Sequence, residues 1–304
     1  MSIRCSVVSD LHLEFEDLEL PGGDVLLLAG DCFIAEPLDK QKTDAYSRSL
    51  RKRFARFARE ELKKYPKVYY VLGNHDHYGG FFEETAQILR EFLAEEAPRV
   101  KVLDNESEIY EGIVFTGSTL WANYGAGTYK GVEIGRSMND CQLIRTRLPL
   151  PSPDGFDYIP NALYGRKITV EDIAKQHDKA KRFLRKELKK AKSNNLPVIV
   201  ITHHAPSFLS KGEEYKHSDN GCDEAYYSNQ HKMITGNPQI VAWYHGHTHS
   251  PCHYRIGQTL IASNPRGYFP SEGTARGFDP RLEDFDLEEV LTAKKERGDD
   301  HANG

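Results

Sequence analysis

The sequence predicts a layered α/β fold, and three observations support that prediction. Apolar runs of strand length alternate along the chain with amphipathic stretches of helical spacing. Five of these runs end in a cluster of Asp, His or Asn residues. The chain of 304 residues is long enough to bury a substantial core. Because ligands of open α/β sheets gather outside the carboxyl ends of the strands, we expect the five clusters to face one crevice.

The five predicted strands are rich in β-branched and aromatic residues. They cover residues 3–8, 25–29, 68–72, 198–201 and 240–243. The clusters that follow them are, in order, Ser9-Asp10-Leu11-His12, Gly30-Asp31, Gly73-Asn74-His75-Asp76, Thr202-His203-His204 and Gly246-His247-Thr248-His249. Such a set of oxygen and nitrogen donors predicts a site for two metal ions.

Three amphipathic helices are predicted between the strands. The first covers residues 44–64, and the second runs from about residue 82 to residue 93. The third covers residues 170–192 and is opened by Thr169, with Asp172 as its capping partner. His177 falls on the buried stripe of this helix, which predicts a histidine at the edge of the core. The basic outer face of the first helix is interpreted as a solvated surface, with a nucleic-acid patch as the alternative.

The predicted organisation is one domain over residues 1–282, followed by a charged tail over residues 283–304 that begins as a short helix. Two long stretches, near 121–167 and 210–236, fit neither a strand nor a helix pattern. Loops of that length are typical of functional lids or of disordered segments. We interpret them as lids, since one flanks the third cluster and the other separates the fourth from the fifth.

Composition and charge narrow the class of protein. The 39% of hydrophobic and 28% of charged residues are typical of a soluble globular protein. Since no apolar stretch approaches the roughly 18 residues of a membrane span and the chain starts directly with a strand, we expect neither a membrane span nor a signal peptide. Five scattered cysteines favour a reducing cytoplasm. The net charge of −5 argues against an extended nucleic-acid partner, although it leaves a nucleotide substrate open.

The residue types in the clusters suit metal chemistry. Asp10 and His12 are two residues apart, so both side chains leave an extended chain on the same side. Asp31 follows a glycine that allows a tight turn, and its carboxylate can bridge two cations. Asn74 offers a neutral carbonyl oxygen. His75 has a neighbouring acid, Asp76, which is expected to orient the ring and raise its pKa.

In this order the clusters resemble the signature of the calcineurin-like metallophosphoesterase superfamily, which reads Asp-x-His, Gly-Asp, Gly-Asn-His-Asp/Glu, His and Gly-His-x-His. The resemblance extends over residues 10–249. It implies a sandwich of two mixed sheets flanked by helices, with a binuclear metal centre. It further implies that one ion is held by Asp10, His12, Asp31 and His249, and the other by Asp31, Asn74, His203 and His247. Asp31 is then the bridge, and His75 contacts the phosphate or the leaving group.

Three further residues are candidate substrate contacts. His203 and His204 are adjacent and point to opposite sides of a strand end, so we favour His203 as the ligand and leave His204 to touch substrate or to pack. Arg266 and Tyr268 follow the last cluster, where the arginine could clamp a phosphate and the tyrosine could stack on a base. The alternative is a Gly/Pro turn with a surface arginine.

Oxygen and nitrogen ligands without thiolate suit Mn²⁺, Fe or Zn²⁺ better than Ca²⁺ or Mg²⁺. Two such ions would activate a water as the hydroxide nucleophile, and His75 paired with Asp76 would stabilise the phosphoryl charge or protonate the departing alkoxide. The predicted function is a phosphodiesterase or phosphatase acting on a small or nucleotide-like ester. The alternatives are a nuclease or protein phosphatase of the same superfamily, a scaffold without catalysis, or an oxygen-activating metalloenzyme. The oligomeric state stays open.

Overall fold

The computed structural model describes residues 3–149, 165–216, 221–288 and 292. Within these residues the strands form two large sheets and one small one. The strands, in chain order, are β1 Arg4–Val8, β2 Val25–Ala29, β3 Lys67–Val71, β4 Val100–Val102, β5 Glu106–Tyr110, β6 Ile113–Ser118, β7 Arg145–Thr146, β8 Arg166–Lys167, β9 Val198–Thr202, β10 Ile240–His245, β11 Cys252–Ile256, β12 Thr259–Ser263 and β13 Phe285–Asp286. The five strands predicted from sequence are confirmed to within two residues at each end.

The helices lie between the strands. In chain order they are α1 Ala45–Glu60, α2 Thr85–Glu96, α3 Tyr129–Ser137, α4 Asp140–Leu143, α5 Val170–Ser193, α6 Asp223–Tyr226, α7 His231–Thr235 and α8 Gly273–Arg276. Short 3₁₀ turns occur at Glu36–Leu38, Leu62–Lys64, His75–His77, Phe208–Ser210 and Glu213–Tyr215. No helix in the described residues is both long and apolar enough to cross a bilayer.

Local capping explains where the long helices begin. The Asp44 side chain accepts a hydrogen bond from the Ser47 amide at 2.9 Å and so caps α1, as the predicted start requires. Thr169 and Asp172 form the capping box predicted for α5. The second predicted helix begins three residues late, at Thr85. The first ends at Glu60 and tightens into a 3₁₀ turn, which is common at a helix terminus.

Both large sheets are mixed. The first has the order β13-β1-β2-β3-β4, in which β13 is antiparallel and the other strands are parallel. The second has the order β11-β12-β10-β9-β6-β5, with antiparallel strands at both edges and parallel strands between them. The mixed two-sheet architecture is therefore confirmed.

The hydrophobic core lies in three layers, one between the two sheets and one on the outer face of each sheet. Between the sheets, Tyr69 of the first stacks on Phe115 of the second with ring centroids 4.6 Å apart. Phe33 and Phe54 pack in the outer layer that α1 and α2 form on the first sheet. Trp243 packs in the outer layer that α5 forms on the second sheet. The sandwich is thus helix, sheet, sheet, helix, and each sheet is buried on both faces.

The two predicted lids contain secondary structure in the parts that the structure describes. Residues 121–167 include α3, α4, β7 and β8, while residues 150–164 of that stretch lie outside the described residues. Residues 210–236 include α6 and α7, with 217–220 outside the description. The first sheet also extends past the predicted boundary at residue 282, because β13 pairs with β1 and Leu287 is buried beside it.

Candidate metal centre and cleft

The predicted site residues lie where parallel strands of the two sheets end. Asp10, Asp31 and Asn74 follow β1, β2 and β3 of the first sheet, and His203 and His247 follow β9 and β10 of the second. The two edges are joined by backbone hydrogen bonds, such as that from the Ser9 amide to the carbonyl oxygen of Asn264 at 3.1 Å. Five distant segments therefore meet in one crevice, as the sequence predicts.

The backbone at this edge is strained. Five of the predicted ligands have positive φ angles in the left-handed region, which residues other than glycine seldom adopt. These are Asp10 at 52°, His12 at 43°, Asp31 at 54°, His247 at 69° and His249 at 51°. Such strain costs of order 1–3 kcal/mol per residue and persists where the surrounding structure enforces it. The left-handed backbone at these positions, and not the alternation of an extended strand, therefore sets the direction of each side chain.

Two motif glycines make room for these side chains. A Cβ atom added to Gly73 would overlap the carboxylate of Asp31, and one added to Gly30 would overlap the ring of His203. Gly30 also has a φ of 92°, a conformation that glycine adopts readily. The glycines are thus needed for the close approach of donor atoms from different strands.

The first group of donor atoms comprises Asp10, His12 and His249, whose candidate ligand atoms lie within 4.8 Å of one another. Nε2 of His249 is 3.2 Å from Nε2 of His12 and 3.5 Å from Oδ1 of Asp10. Burial alone would raise the pKa of Asp10, but its hydrogen bond with His249 and the charge of that ring lower it to about 2.

The opposite nitrogen of His249, Nδ1, is 2.7 Å from Oε2 of Glu272. Burial would lower the pKa of His249, yet hydrogen bonds to Asp10 and Glu272 raise it to about 10. A carboxylate on one ring nitrogen fixes the tautomer, so the other nitrogen can face a metal. A cation bound at Nε2 would take the place of a proton on that nitrogen, while Nδ1 keeps its hydrogen bond to Glu272.

The second group comprises Asp31, His203 and His247. Nε2 of His203 is 3.2 Å from Oδ2 of Asp31 and 2.9 Å from Oδ1 of Asn74. Its Nδ1 is 2.8 Å from the carbonyl oxygen of Ala29, which accepts only, so Nδ1 carries a proton and Nε2 is left for the crevice. Burial would lower the pKa of His203, but the charge of Asp31 raises it to about 9.

A third group overlaps both and includes His75 with His12 and Asp31. Nε2 of His75 is 2.7 Å from the hydroxyl of Tyr268, and Nδ1 is 3.9 Å from Oε1 of Glu14. His75 is 16% exposed in its side chain and lines the cleft. Burial lowers its pKa from the ordinary value of 6.5.

Asp76 does not orient His75, which corrects the expectation from sequence. Its carboxylate is fully buried and accepts hydrogen bonds from the amides of Gly73, at 2.6 Å, and Phe33, at 3.2 Å. Adjacent residues of a 3₁₀ turn point in different directions, so neighbours in sequence need not pair. The expected rise in the pKa of His75 is accordingly wrong, and Asp76 secures the turn that carries Asn74 and His75.

The three candidate substrate contacts are placed differently. His204 is fully buried and stacks on His247 with ring centroids 4.0 Å apart, so it packs. Arg266 is 4% exposed and donates to backbone carbonyl oxygens, including that of Leu11 at 3.2 Å, which corrects its expected place on the phosphate. Tyr268 does line the cleft and contacts His75 and His249.

The residues present fit a pair of metal ions. The convergent atoms are imidazole nitrogens, carboxylate oxygens and one amide oxygen, a set suited to divalent transition metals. Nε2 of His247 is buried and has no hydrogen-bond partner among the described residues. An unpaired buried nitrogen costs about 1–3 kcal/mol, and a cation beside Asp31 would satisfy it.

A cleft of about 320 Å³ opens above the three groups. The crevice residues that form its floor are Asp31, Asn74, His75, His247 and His249, and its walls include segments of both predicted lids. The first lid contributes Ser137, Met138 and Asn139, and the second contributes Lys211, Tyr215, Asp223, Tyr226 and Tyr227. Nζ of Lys211 donates to Oδ2 of Asp223 at 2.8 Å, so the cation of this wall is paired with an acid.

Sequence reasoning missed three acids that support the predicted residues. Oε1 of Glu14 is 3.3 Å from Nδ1 of His12. Glu14 continues the alternation of Asp10 and His12 along the chain, and that spacing could have revealed it. Glu272 and Asp140 contact His249 and Asn74 from remote segments, and no local pattern marks them.

The carboxylates and imidazoles gathered where the two mixed sheets meet could hold metal ions, which is the kind of site that a metal-dependent hydrolase requires. The chain belongs to the calcineurin-like phosphoesterase family, whose pattern matches residues 4–251. The protein is therefore a phosphoesterase, and its substrate is a phosphoester.

One known protein is similar to this chain in sequence, and one solved structure is similar to it in fold. Uncharacterized protein L509 of Acanthamoeba polyphaga mimivirus is 29% identical over 288 residues, which cover 86% of this chain and 90% of that protein. The crystal structure of the phosphopantetheinyl hydrolase PptH from Mycobacterium tuberculosis superposes with a TM-score of 0.54 at 15% identity. That match covers 87% of this chain and 89% of the other, and it shows a shared fold.

Proposed function

We propose that the protein hydrolyses phosphoesters with a binuclear centre in which Asp31 bridges two divalent ions. One ion would be held by Asp10, His12, Asp31 and His249, and the other by Asp31, Asn74, His203 and His247. The observation that carries the proposal is the overlap of three donor groups at the meeting edge of the two sheets, with Asp31 in two of them. The unpaired Nε2 of His247 supports the second position.

Mn²⁺, Fe or Zn²⁺ bound there would supply Lewis-acid polarisation of the phosphoryl oxygens and an activated water. The protein's own part is to hold the donors rigidly, which the strained turns accomplish. His75 lines the cleft beside His12 of the first group and is hydrogen-bonded to Tyr268. We assign His75 to contact with the phosphoryl group or the leaving group, where an imidazole can stabilise charge or move a proton.

The walls favour a small substrate with a flat, uncharged body. Tyr78, Tyr215, Tyr226 and Tyr268 present aromatic rings to the cleft, and such rings stack on nucleobases and other planar groups. Among the described residues that line the cleft, Lys211 is the single lysine or arginine, and it forms an ion pair with Asp223. Nucleic-acid backbones are instead gripped by many cations. A phosphodiesterase or phosphatase for a small or nucleotide-like ester suits this cleft better than a nuclease.

The basic face of α1 adds to this preference. Arg51 and Arg53 donate to backbone carbonyl oxygens, while Arg56 and Arg59 pair with Asp17 and Glu96. These guanidinium groups are engaged within the chain. A cytoplasmic location stays a prediction, supported by five cysteines of which none forms a disulfide bond.

The experiment uses the full chain, stripped of metal and reconstituted separately with Mn²⁺, Zn²⁺ or Fe²⁺. Release of nitrophenolate from bis(4-nitrophenyl) phosphate and from 4-nitrophenyl phosphate is followed together with the number of bound ions. Two bound ions and metal-dependent release are expected, and the ratio of the two rates distinguishes diesterase from monoesterase. Fewer than two ions, or hydrolysis that is unaffected by metal removal, would contradict the proposal.

A further inference from the structure

Asp140 lies on α4 in the first lid and is fully buried. Its Oδ1 accepts hydrogen bonds from Nδ2 of Asn74 at 2.8 Å and from the hydroxyl of Tyr78 at 2.9 Å. Its Oδ2 accepts from the hydroxyl of Tyr124 at 2.8 Å. A carboxylate of the lid is thus bonded directly to a side chain of the candidate metal centre.

The chemistry of the amide gives this bond a consequence. A primary amide has a donor side and an acceptor side of nearly the same shape, and the side it presents depends on its hydrogen-bond partners. A carboxylate accepts only, so Asp140 selects the NH₂ group of Asn74. The amide oxygen is then turned the other way, into the crevice, where Oδ1 lies 2.9 Å from Nε2 of His203. An oxygen facing that way can bind a cation, whereas an NH₂ group there would repel one.

Tyr78 extends the same support to His75. Its hydroxyl accepts a second hydrogen bond from Nδ2 of Asn74 at 3.1 Å, and its ring lies against the His75 ring with centroids 4.1 Å apart. Asp140 therefore anchors the two side chains of the Asn74-His75 pair, one directly and one through Tyr78.

We propose that Asp140 is a positioning residue of the metal centre, which holds the Asn74 amide so that its oxygen faces the second ion. The inference rests on the proposed binuclear site. The first lid would then contribute to metal binding as well as to the wall of the cleft, because its Asp140 carboxylate orients the Asn74 side chain at the end of β3.

The test measures metal affinity of the full chain, independently of turnover, by titrating metal-free protein with Mn²⁺ in competition with a fluorescent chelator. In Asp140→Ala one ion should bind as in the wild type, and the other about 10–100-fold more weakly, the usual cost of losing such a support. Asp140→Asn keeps an oxygen acceptor for Asn74 and should retain most of the affinity. Tyr124→Phe is the matched control, since it removes a hydrogen bond from the same carboxylate without touching Asn74.

A double-mutant cycle separates this role from general stabilisation. If Asp140 acts through Asn74, then Asp140→Ala should weaken the second ion no further in an Asn74→Ala background. Full additivity, equal weakening of both ions, or unchanged affinity in Asp140→Ala would overturn the inference. Should that variant lack the wild-type circular dichroism spectrum, Asp140→Leu fills the buried volume without an acceptor, and the same outcomes apply. Fewer than two ions in the wild type would overturn the binuclear centre itself, and the inference with it.

Discussion

The floor and the wall of the cleft are built in different ways. On the floor, backbone and side chain interlock: the amide of His247, itself at a φ of 69°, donates to both carboxylate oxygens of Asp10 at 3.0 and 3.1 Å. On the wall, side chains of short helices and turns project into the cleft, and Tyr215 is 47% exposed. The floor therefore tolerates little change, whereas the wall can vary and alter substrate choice without altering the chemistry.

The largest effect is expected from removing a floor ligand. Asp31→Asn or His249→Ala should lose bound metal and reduce turnover by about 1,000-fold or more, because each ion supplies several kcal/mol of transition-state stabilisation. Metal content by plasma mass spectrometry and initial rates measure both effects. Asp178→Asn, an exposed carboxylate on α5, is the control for the substitution itself. Unchanged metal content together with persisting activity would show that the site is elsewhere.

Loss of His75 should separate chemistry from metal binding. His75→Ala is expected to keep both ions and to lower kcat by about 100- to 10,000-fold, the usual contribution of a general acid or base. The His75 ring also lies within ligand distance of Asp31 and His12, so metal content must be measured alongside kcat. His253→Ala, on an exposed ring, serves as the control. A parallel loss of metal would make His75 a ligand.

Turnover should also fall when a substitution on the floor removes no ligand but fills the space that a ligand occupies. Gly73→Ala introduces a methyl group where the Asp31 carboxylate now lies, so that carboxylate must move. A displacement of about 1 Å at a catalytic centre can cost about 100-fold in rate. Gly277→Ala, where an added Cβ meets nothing within 4 Å, is the matched control. Wild-type turnover in Gly73→Ala would show that the floor is more compliant than we infer.

A substitution in the wall of the cleft should raise KM and leave kcat unchanged. Tyr215→Leu removes an aromatic face from the cleft, and loss of one stacking contact of about 1 kcal/mol corresponds to a rise in KM of roughly fivefold for a nucleotide ester. We expect kcat and metal content to stay at their wild-type values, and KM for a small alkyl phosphoester to change little. A fall in kcat with unchanged KM would mean that floor and wall are not separable.

Folding stability, as distinct from activity, should depend on a histidine outside the cleft. His177 is buried on α5 with Nδ1 3.0 Å from the carbonyl oxygen of Leu120, and burial lowers its pKa to about 4. The unfolded chain then binds more protons below about pH 6.5, so folding stability falls as the pH drops from there to about 4. The loss is about 3 kcal/mol. In His177→Gln, urea unfolding at pH 7 and pH 4.5 should show a smaller loss, whereas an equal loss would assign the acid sensitivity to other groups.

The strands and the convergence of the five clusters could be predicted because both depend on local patterns. A strand and the polar residues that follow it are neighbours in sequence, and parallel strands bring their carboxyl ends to one edge. The partners of the clusters could not be predicted in this way. Asp76 stands next to His75 in sequence but is bonded to the amides of Gly73 and Phe33. Arg266 follows the last cluster, but its guanidinium group donates hydrogen bonds to backbone carbonyl oxygens within residues 11–17.

By itself, the sequence determined which donor types this protein places at its strand ends, and hence its class of chemistry. The tertiary structure decided where each donor points and what holds it. Glu272 reaches His249 across 23 residues, and Asp140 reaches Asn74 across 66. The two adjacent histidines also point in different directions: His203 contacts Asp31 in the crevice, whereas the ring of His204 stacks on His247. The physical reason is that side-chain direction follows from backbone dihedral angles and packing between distant segments, and neither is encoded by local residue spacing.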